Sequence, residues 1–140
     1  MSGTIVKERA RPLGNYPHAK RAQDLVFLSG TTARQPDGSV AGTSRDADGT
    51  VRHDAAVQTR VVIQNIARTL DSLGGTLADC VDMTVFLVDM RDFEAYNRVY
   101  GEFFDSTGPA RTTVAVSSLP HPDMVVEMKA VALLPRKQRA

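Results

Sequence analysis

Residues 54–88 read DAAVQTRVVIQNIARTLDSLGGTLADCVDMTVFLV, and within them the hydrophobic period changes once. Val62, Ile66, Leu70 and Leu73 recur at the spacing of one helix face, Asp54 stands where an N-cap belongs, and Gly74-Gly75 closes the element. Beyond the glycines, Val81, Met83, Val85 and Leu87 alternate with Asp82, Thr84, Phe86 and Val88, the period of a largely buried strand. The chain then repeats this helix-and-strand alternation. Asp92 is placed to cap a second helix whose apolar stripe is Phe93, Tyr96, Tyr100 and Phe103 or Phe104, aromatics read here as core. Strands are expected at Arg111–Val116 and Met124–Leu133.

Toward the N-terminus the pattern is more broken. Thr4–Lys7 predicts a short first strand; Pro12, Gly14 and Pro17 interrupt the chain before a strand at Leu25–Ser29. Pro36-Asp37-Gly38 is a turn, and the polar stretch Gly42–Thr50 is expected to be an exposed loop. The sum is an α+β fold in a single domain over residues 1–140, one sheet with two helices packed on one face. The last strand is apolar on both faces apart from Glu127 and Lys129. The sheet face without helices is therefore expected to be covered by self-association.

Composition excludes more than it selects. A net charge of +1 gives no reason to expect nucleic acid or a membrane surface as partner, and no run is long and apolar enough for a membrane span. The N-terminus lacks the apolar core of a secretion signal, so a cytoplasmic location is the expectation. The lone Cys80 excludes an internal disulfide and any multi-cysteine metal site, and is read as a small apolar residue. His18, His53 and His121 are scattered without metal-ligand spacing. There is no Gly-x-Ser-x-Gly elbow, no Cys/His nucleophile pair, no His-Glu-x-x-His helix and no glycine-rich phosphate loop.

Two charged residues stand apart from this background. In Gly108-Pro109-Ala110-Arg111-Thr112-Thr113-Val114-Ala115-Val116, proline and glycine end the loop where the arginine begins a strand, with Arg111 and Thr113 on one face and Thr112, Val114 and Val116 on the other. A guanidinium fixed by rigid backbone is a two-pronged clamp for a carboxylate, although an arginine at a strand start also serves as a solvated edge or an ion-pair partner. Glu127 stands within an apolar strand, where a carboxylate is costly to bury without a partner or a task. The competing reading is a salt bridge to Lys129 or to a base of a neighbouring subunit.

Read in order, Leu25–Gly30, the helical Gln58–Leu73 with Asn65-Ile66, Tyr96–Phe104, Gly108–Val116, Ser117-Ser118-Leu119-Pro120-His121-Pro122 and Met124–Ala132 resemble the reactive intermediate deaminase (Rid) family. The resemblance runs from about Gly14 to Pro135. It implies hydrolysis of enamines and imines without a cofactor, and a chorismate mutase-like fold assembled as a homotrimer with sites in the clefts between subunits. It also implies that Arg111 binds the carboxylate of a small-molecule substrate and that Glu127, in Val-Glu-x-x-Ala, orients water. Tyr16, Ser29, Gly30 and Thr113 fall at the family's cleft positions, and Asn97 at a position that fixes local geometry.

This chain departs from the common pattern at two places. A Gly-Pro-Tyr-Ser loop is replaced by Gly14-Asn15-Tyr16-Pro17-His18, and a cysteine often found two residues after the arginine is Thr113. These departures, with Leu119-Pro120-His121-Pro122, are similar to the branch that converts 2-aminomuconate to 4-oxalocrotonate and ammonia in bacterial breakdown of aromatic compounds. A general 2-imino acid deaminase and a non-catalytic ligand-binding protein of the same fold are the alternatives. For the second carboxylate of such a substrate, the basic candidates near the variant loop and the arginine strand are His18, Lys20 and His121.

Overall fold

A computed structural model describes residues 2–137 of the chain. Its strands are β1 (Gly3–Thr4), β2 (Ala19–Ala22), β3 (Leu25–Leu28), β4 (Thr43–Arg45), β5 (Val51–His53), β6 (Cys80–Leu87), β7 (Ala110–Ala115) and β8 (Val126–Leu133). Two helices, α1 (Ala55–Asp71) and α2 (Phe93–Phe103), accompany them. Six strands form a mixed sheet in the order β1-β2-β3-β8-β6-β7, in which only β6 and β7 run parallel, joined through α2. Strands β4 and β5 make a separate hairpin.

Local chemistry starts and stops α1 as the sequence predicts. The Asp54 carboxylate accepts from the Val57 amide at 3.0 Å, satisfying one of the free donors of the first turn. Past the last turn Gly74 takes φ +81, a conformation that costs a side-chain-bearing residue energy, and the Gly75 amide returns to the Leu70 carbonyl. Helix α2 begins differently from expectation. Asp92 occupies the N-cap position but makes no capping hydrogen bond, and it is Asp89 that accepts from the Arg91 amide in the preceding turn.

The core lies between the helices and one face of the sheet. Val62, Ile63, Ile66 and Leu70 of α1 meet Val26, Leu28, Met83, Val85, Leu87, Met128 and Ala130, all fully buried. Burying each large aliphatic side chain contributes about 1.5–3 kcal/mol, so this face outweighs any single polar contact in fixing the layers. The opposite face carries Leu25, Phe27, Val114 and Leu133, each between 37% and 47% exposed, around half-buried Phe86 and Val131. A contiguous apolar face of this kind is characteristic of an interaction surface.

Several expectations are corrected. The first strand is Gly3–Thr4, not Thr4–Lys7, and β2 was not foreseen. Gly42–Thr50 is not a plain loop but contributes β4 and the turn of the hairpin. Two contacts secure that hairpin to the loop before β8: Arg45 reaches Asp123 at 2.7 Å, and His53 Nε2 lies 2.9 Å from the same carboxylate. In β6 the register slips between Cys80 and Asp82, so Cys80 is buried and Val81 is 44% exposed, off the face on which Met83 lies.

Candidate active site

Strand β8 places Glu127 on the open face, paired in register with Phe86. Beside it the segment after β3 bulges. Phe27 opposes Val131 and Thr31 opposes Met128, so four steps along one chain match three along the other, bringing Gly30 over the glutamate. A Cβ at Gly30 would lie 3.0 Å from the Glu127 carboxyl carbon, tighter than nearly all packed contacts, so a larger residue would push the carboxylate aside by a few tenths of an ångström.

Glu127 has no hydrogen bond or ion pair among the described residues, and Lys129 turns instead to the Leu28 carbonyl at 3.2 Å. The salt bridge to Lys129 weighed against a functional role is therefore absent among the described residues. Burial alone raises the Glu127 pKa above the usual glutamate value of 4.5, with no opposing charge to hold it down.

Around Glu127 the loop residues border a small cleft of about 50 Å³ that opens to solvent, with Arg9, Arg11, Tyr16, Ser29, Arg34 and Glu127 among its lining. Ser29 donates to the Pro17 carbonyl at 2.7 Å, tying the Tyr16 loop to the end of β3. Met124 and Pro120 line the other side. Their loop is held by Gln58 of α1, whose amide donates to the Asp123 carbonyl at 2.6 Å and accepts from the Val125 amide at 2.9 Å.

Arg111 is elsewhere. It pairs in register with Met83, on the helix-facing side of the sheet, whereas Glu127 pairs with Phe86 on the opposite side. Its guanidinium lies 4.7 Å from the Tyr100 ring centre, 5.2 Å from Tyr96 and 6.0 Å from Phe93. Asn97 Oδ1 accepts from Nη1 at 2.9 Å. Thr113 Oγ1 and Tyr96 Oη are 2.6 Å apart, which holds the ring that supports the arginine. Arg111 is exposed and has no carboxylate partner among the described residues. The aromatic stripe read as core thus has a second role, cradling a cation by stacking on its face. The i, i+3, i+7 spacing of Phe93, Tyr96 and Tyr100 was the available signal.

Of the two candidate histidines, His18 borders the cleft and His121 does not. His18 is buried; Nδ1 accepts from the Val6 amide at 2.8 Å and Nε2 donates to the Ala10 carbonyl at 2.9 Å. Desolvation pushes its pKa down, so the ring, although it borders the cleft, is a neutral pin for residues 6–10. His121 accepts from the Asp123 amide at 3.0 Å and faces that residue rather than the cleft. Lys20 pairs with Phe27 on β2, away from Glu127. The cations that do line the cleft, Arg9, Arg11 and Arg34, were missed. Cys80 is buried with its thiol pKa raised to about 11 by desolvation, which makes it inert at neutral pH. Among the described residues no group of three or more His, Cys, Asp or Glu side chains is placed to hold a metal.

Against this geometry the comparisons with known proteins agree with one another. The profile of the family described as Endoribonuclease L-PSP matches residues 6–134. The chain belongs to that family, which includes the Rid and RutC proteins. A RutC family protein of Pyrococcus abyssi is 37% identical over 130 residues, covering 91% of this chain and 94% of its own. The 3-aminoacrylate deaminase RutC of Acinetobacter baylyi is 36% identical over 121 residues, 86% of this chain and 88% of its own. Among solved structures, E. coli TdcF with bound serine superposes with a TM-score of 0.78 at 27% identity, over 95% of this chain and 98% of that one. The two helices and the mixed sheet are thus a Rid-type architecture. No helix among the described residues is long and apolar enough to cross a membrane.

Proposed function

We propose that this protein hydrolyses the C–N bond of an enamine or imine acid without a cofactor, and that its preferred substrate is 2-aminomuconate. The observation that carries the reading is a pair of charged groups left without partners. Among the described residues Glu127 is half-buried with no hydrogen-bond or ion-pair partner, and Arg111 is cradled by aromatic rings with no carboxylate partner. A relative that is a 3-aminoacrylate deaminase and a relative solved with serine, a small carboxylate-bearing molecule, support the same chemistry.

The two groups lie on opposite faces of one sheet, so a site that uses both is assembled from two copies of the chain. In this reading the apolar face bearing Leu25, Phe27, Val114 and Leu133 packs against neighbouring copies in a homotrimer. The Arg111 edge of one copy then meets the Glu127 cleft of the next.

The enamine first tautomerises to its imine, making the carbon attached to nitrogen electrophilic. Arg111 grips the adjacent carboxylate through two parallel hydrogen bonds and fixes that carbon over Glu127. Water adds to the carbon: a C–O bond forms, the C=N π pair moves to nitrogen, and the carboxylate of Glu127 accepts the water's proton. Glu127 returns this proton to the nitrogen, giving the neutral carbinolamine; it then takes the hydroxyl proton as the C=O bond forms and the C–N bond breaks, and hands it to the departing nitrogen, so that a ketone and ammonia leave. Tyr16, Ser29 and Gly30 shape the cleft around this path. Asn97 and Thr113 act one step back, on the arginine and on Tyr96.

The reading is tested by ammonia release from 2-aminomuconate and from 2-iminopropanoate generated in situ. Deamination of both with a large preference for the first is expected. Equal kcat/KM for the two supports instead the general imino acid deaminase, which the 3-aminoacrylate relative favours. A further expectation concerns Asn97. Asn97→Ala removes the acceptor that orients Arg111, so KM for the carboxylate substrate should rise about 5- to 10-fold, the size of one ordinary hydrogen bond, with kcat nearly unchanged.

A further inference from the structure

We infer that Arg9, Arg11 and Arg34 form a second anion subsite in the Glu127 cleft, which makes the site selective for acids carrying a second carboxylate remote from the reacting carbon. The inference rests on the deaminase reading above but stands on different residues. Four arginines elsewhere are matched by acids, Arg45 with Asp123, Arg52 with Asp46, Arg60 with Glu102 and Arg91 with Asp89, whereas Arg21 and Arg68 reach only neutral acceptors. The arginines of the cleft have no acid partner among the described residues, and the one carboxylate lining it, Glu127, is paired with none of them.

Arg9 is the centre of this imbalance. Its Nη1 makes a long hydrogen bond of 3.4 Å to Thr69 Oγ1, and its Nε is buried with no acceptor among the described residues. Burial and the nearby guanidinium of Arg68 push its pKa down to about 10, which leaves it charged at neutral pH. A buried donor without an acceptor is costly, and a bound anion nearby offsets the accumulated positive charge.

Arg34 is built into the same place by α1. Asn65 Nδ2 donates to the Thr32 and Arg34 carbonyls at 3.0 and 3.1 Å, while Arg68 Nη1 donates to Asn65 Oδ1 at 3.3 Å. The Arg34 side chain in turn donates to the Arg11 carbonyl at 2.6 Å, joining the two cationic segments. Planar guanidinium forks match a carboxylate in shape as well as charge.

The test uses two unreactive acids with the same six-carbon diene skeleton, muconate with two carboxylates and sorbate with one. Calorimetric titration of the wild-type protein should show muconate binding about 10- to 100-fold tighter, the worth of one charged contact. Arg9→Gln and Arg34→Gln should each reduce that advantage to about 3-fold or less. Arg52→Gln, on the exposed hairpin, should leave it intact. Arg11→Gln, at an exposed position, repeats the test where loss of the more buried Arg9 lowers stability. In turnover, the ratio of kcat/KM for 2-aminomuconate over 2-iminopropanoate should fall in step. Equal binding of the two acids by the wild-type protein, or an advantage that survives all three cleft substitutions, overturns the subsite. Selective muconate binding by a protein that releases no ammonia overturns the deaminase reading and leaves the subsite standing.

Discussion

Replacing Arg111 by alanine is expected to lower kcat/KM by about 30- to 900-fold, because a two-pronged charge-assisted contact to the substrate carboxylate is worth about 2–4 kcal/mol. The substitution removes an exposed side chain held by one hydrogen bond and three rings, so stability should change by less than about 1 kcal/mol. Arg111→Lys should recover little activity. An ammonium retains the charge but loses the fork that binds two oxygens and the flat face that stacks on Tyr96 and Tyr100. Steady-state ammonia release and a thermal melt check both halves, and near wild-type kcat/KM for Arg111→Ala removes the residue from the site.

Glu127→Gln should produce opposite effects on activity and stability. Loss of the proton acceptor lowers kcat by about 100-fold or more, with a smaller change in KM. In the active protein the acidic limb of the pH–rate profile should lie above 4.5, since the carboxyl must be ionised to act and burial has raised its pKa. Stability follows from the same shift. A carboxyl whose pKa is higher in the folded than in the unfolded chain favours folding below the unfolded value, and that contribution is lost as pH rises through the folded value. At pH 7 an ionised, unpaired Glu127 is therefore a net cost. Glu127→Gln should raise Tm at pH 7, and the gain should vanish toward pH 4. A glutamine variant that is fully active, or one that melts lower at pH 7, assigns Glu127 a structural role instead.

How far the sequence anticipated the structure varies by segment, and the reasons are physical. Helix α1 and strands β6 and β8 were foreseen because each buries a face whose period is written in its own residues. Strand β2 escaped because Ala-Lys-Arg-Ala carries no alternation and its turn uses Gln23 at φ +56 in place of the glycine or Asn-Gly that marks a hairpin. The β4–β5 hairpin escaped because it is polar, and the carboxylate that holds it, Asp123, lies some seventy residues away. The bulge after Cys80 has no local signature, so Val81 was placed on the wrong face.

The same division runs through the site. Glu127 and Arg111 were conspicuous one at a time, as a charge in an apolar strand and an arginine at a strand mouth. Their positions on opposite faces follow from the register of β6 with both neighbours, which is a property of the whole sheet. Arg9 and Arg34 meet only because Asn65 gathers the loop after β3 and His18 pins the segment before Tyr16. Contacts of that span are set by tertiary packing rather than by local pattern.

The central claim is that the catalytic site combines Arg111 of one copy with Glu127 of another, and mixing two inactive variants tests it most directly. Arg111→Ala and Glu127→Gln chains, differently tagged, are co-expressed in equal amounts and the mixed oligomers purified through both tags. In a ring of three with one site per boundary, every mixed trimer has one boundary of its three with both residues intact, so activity should return to roughly a third of wild type. If the two residues act within one chain, every site carries one defect. Activity no greater than that of the separate variants would contradict the account.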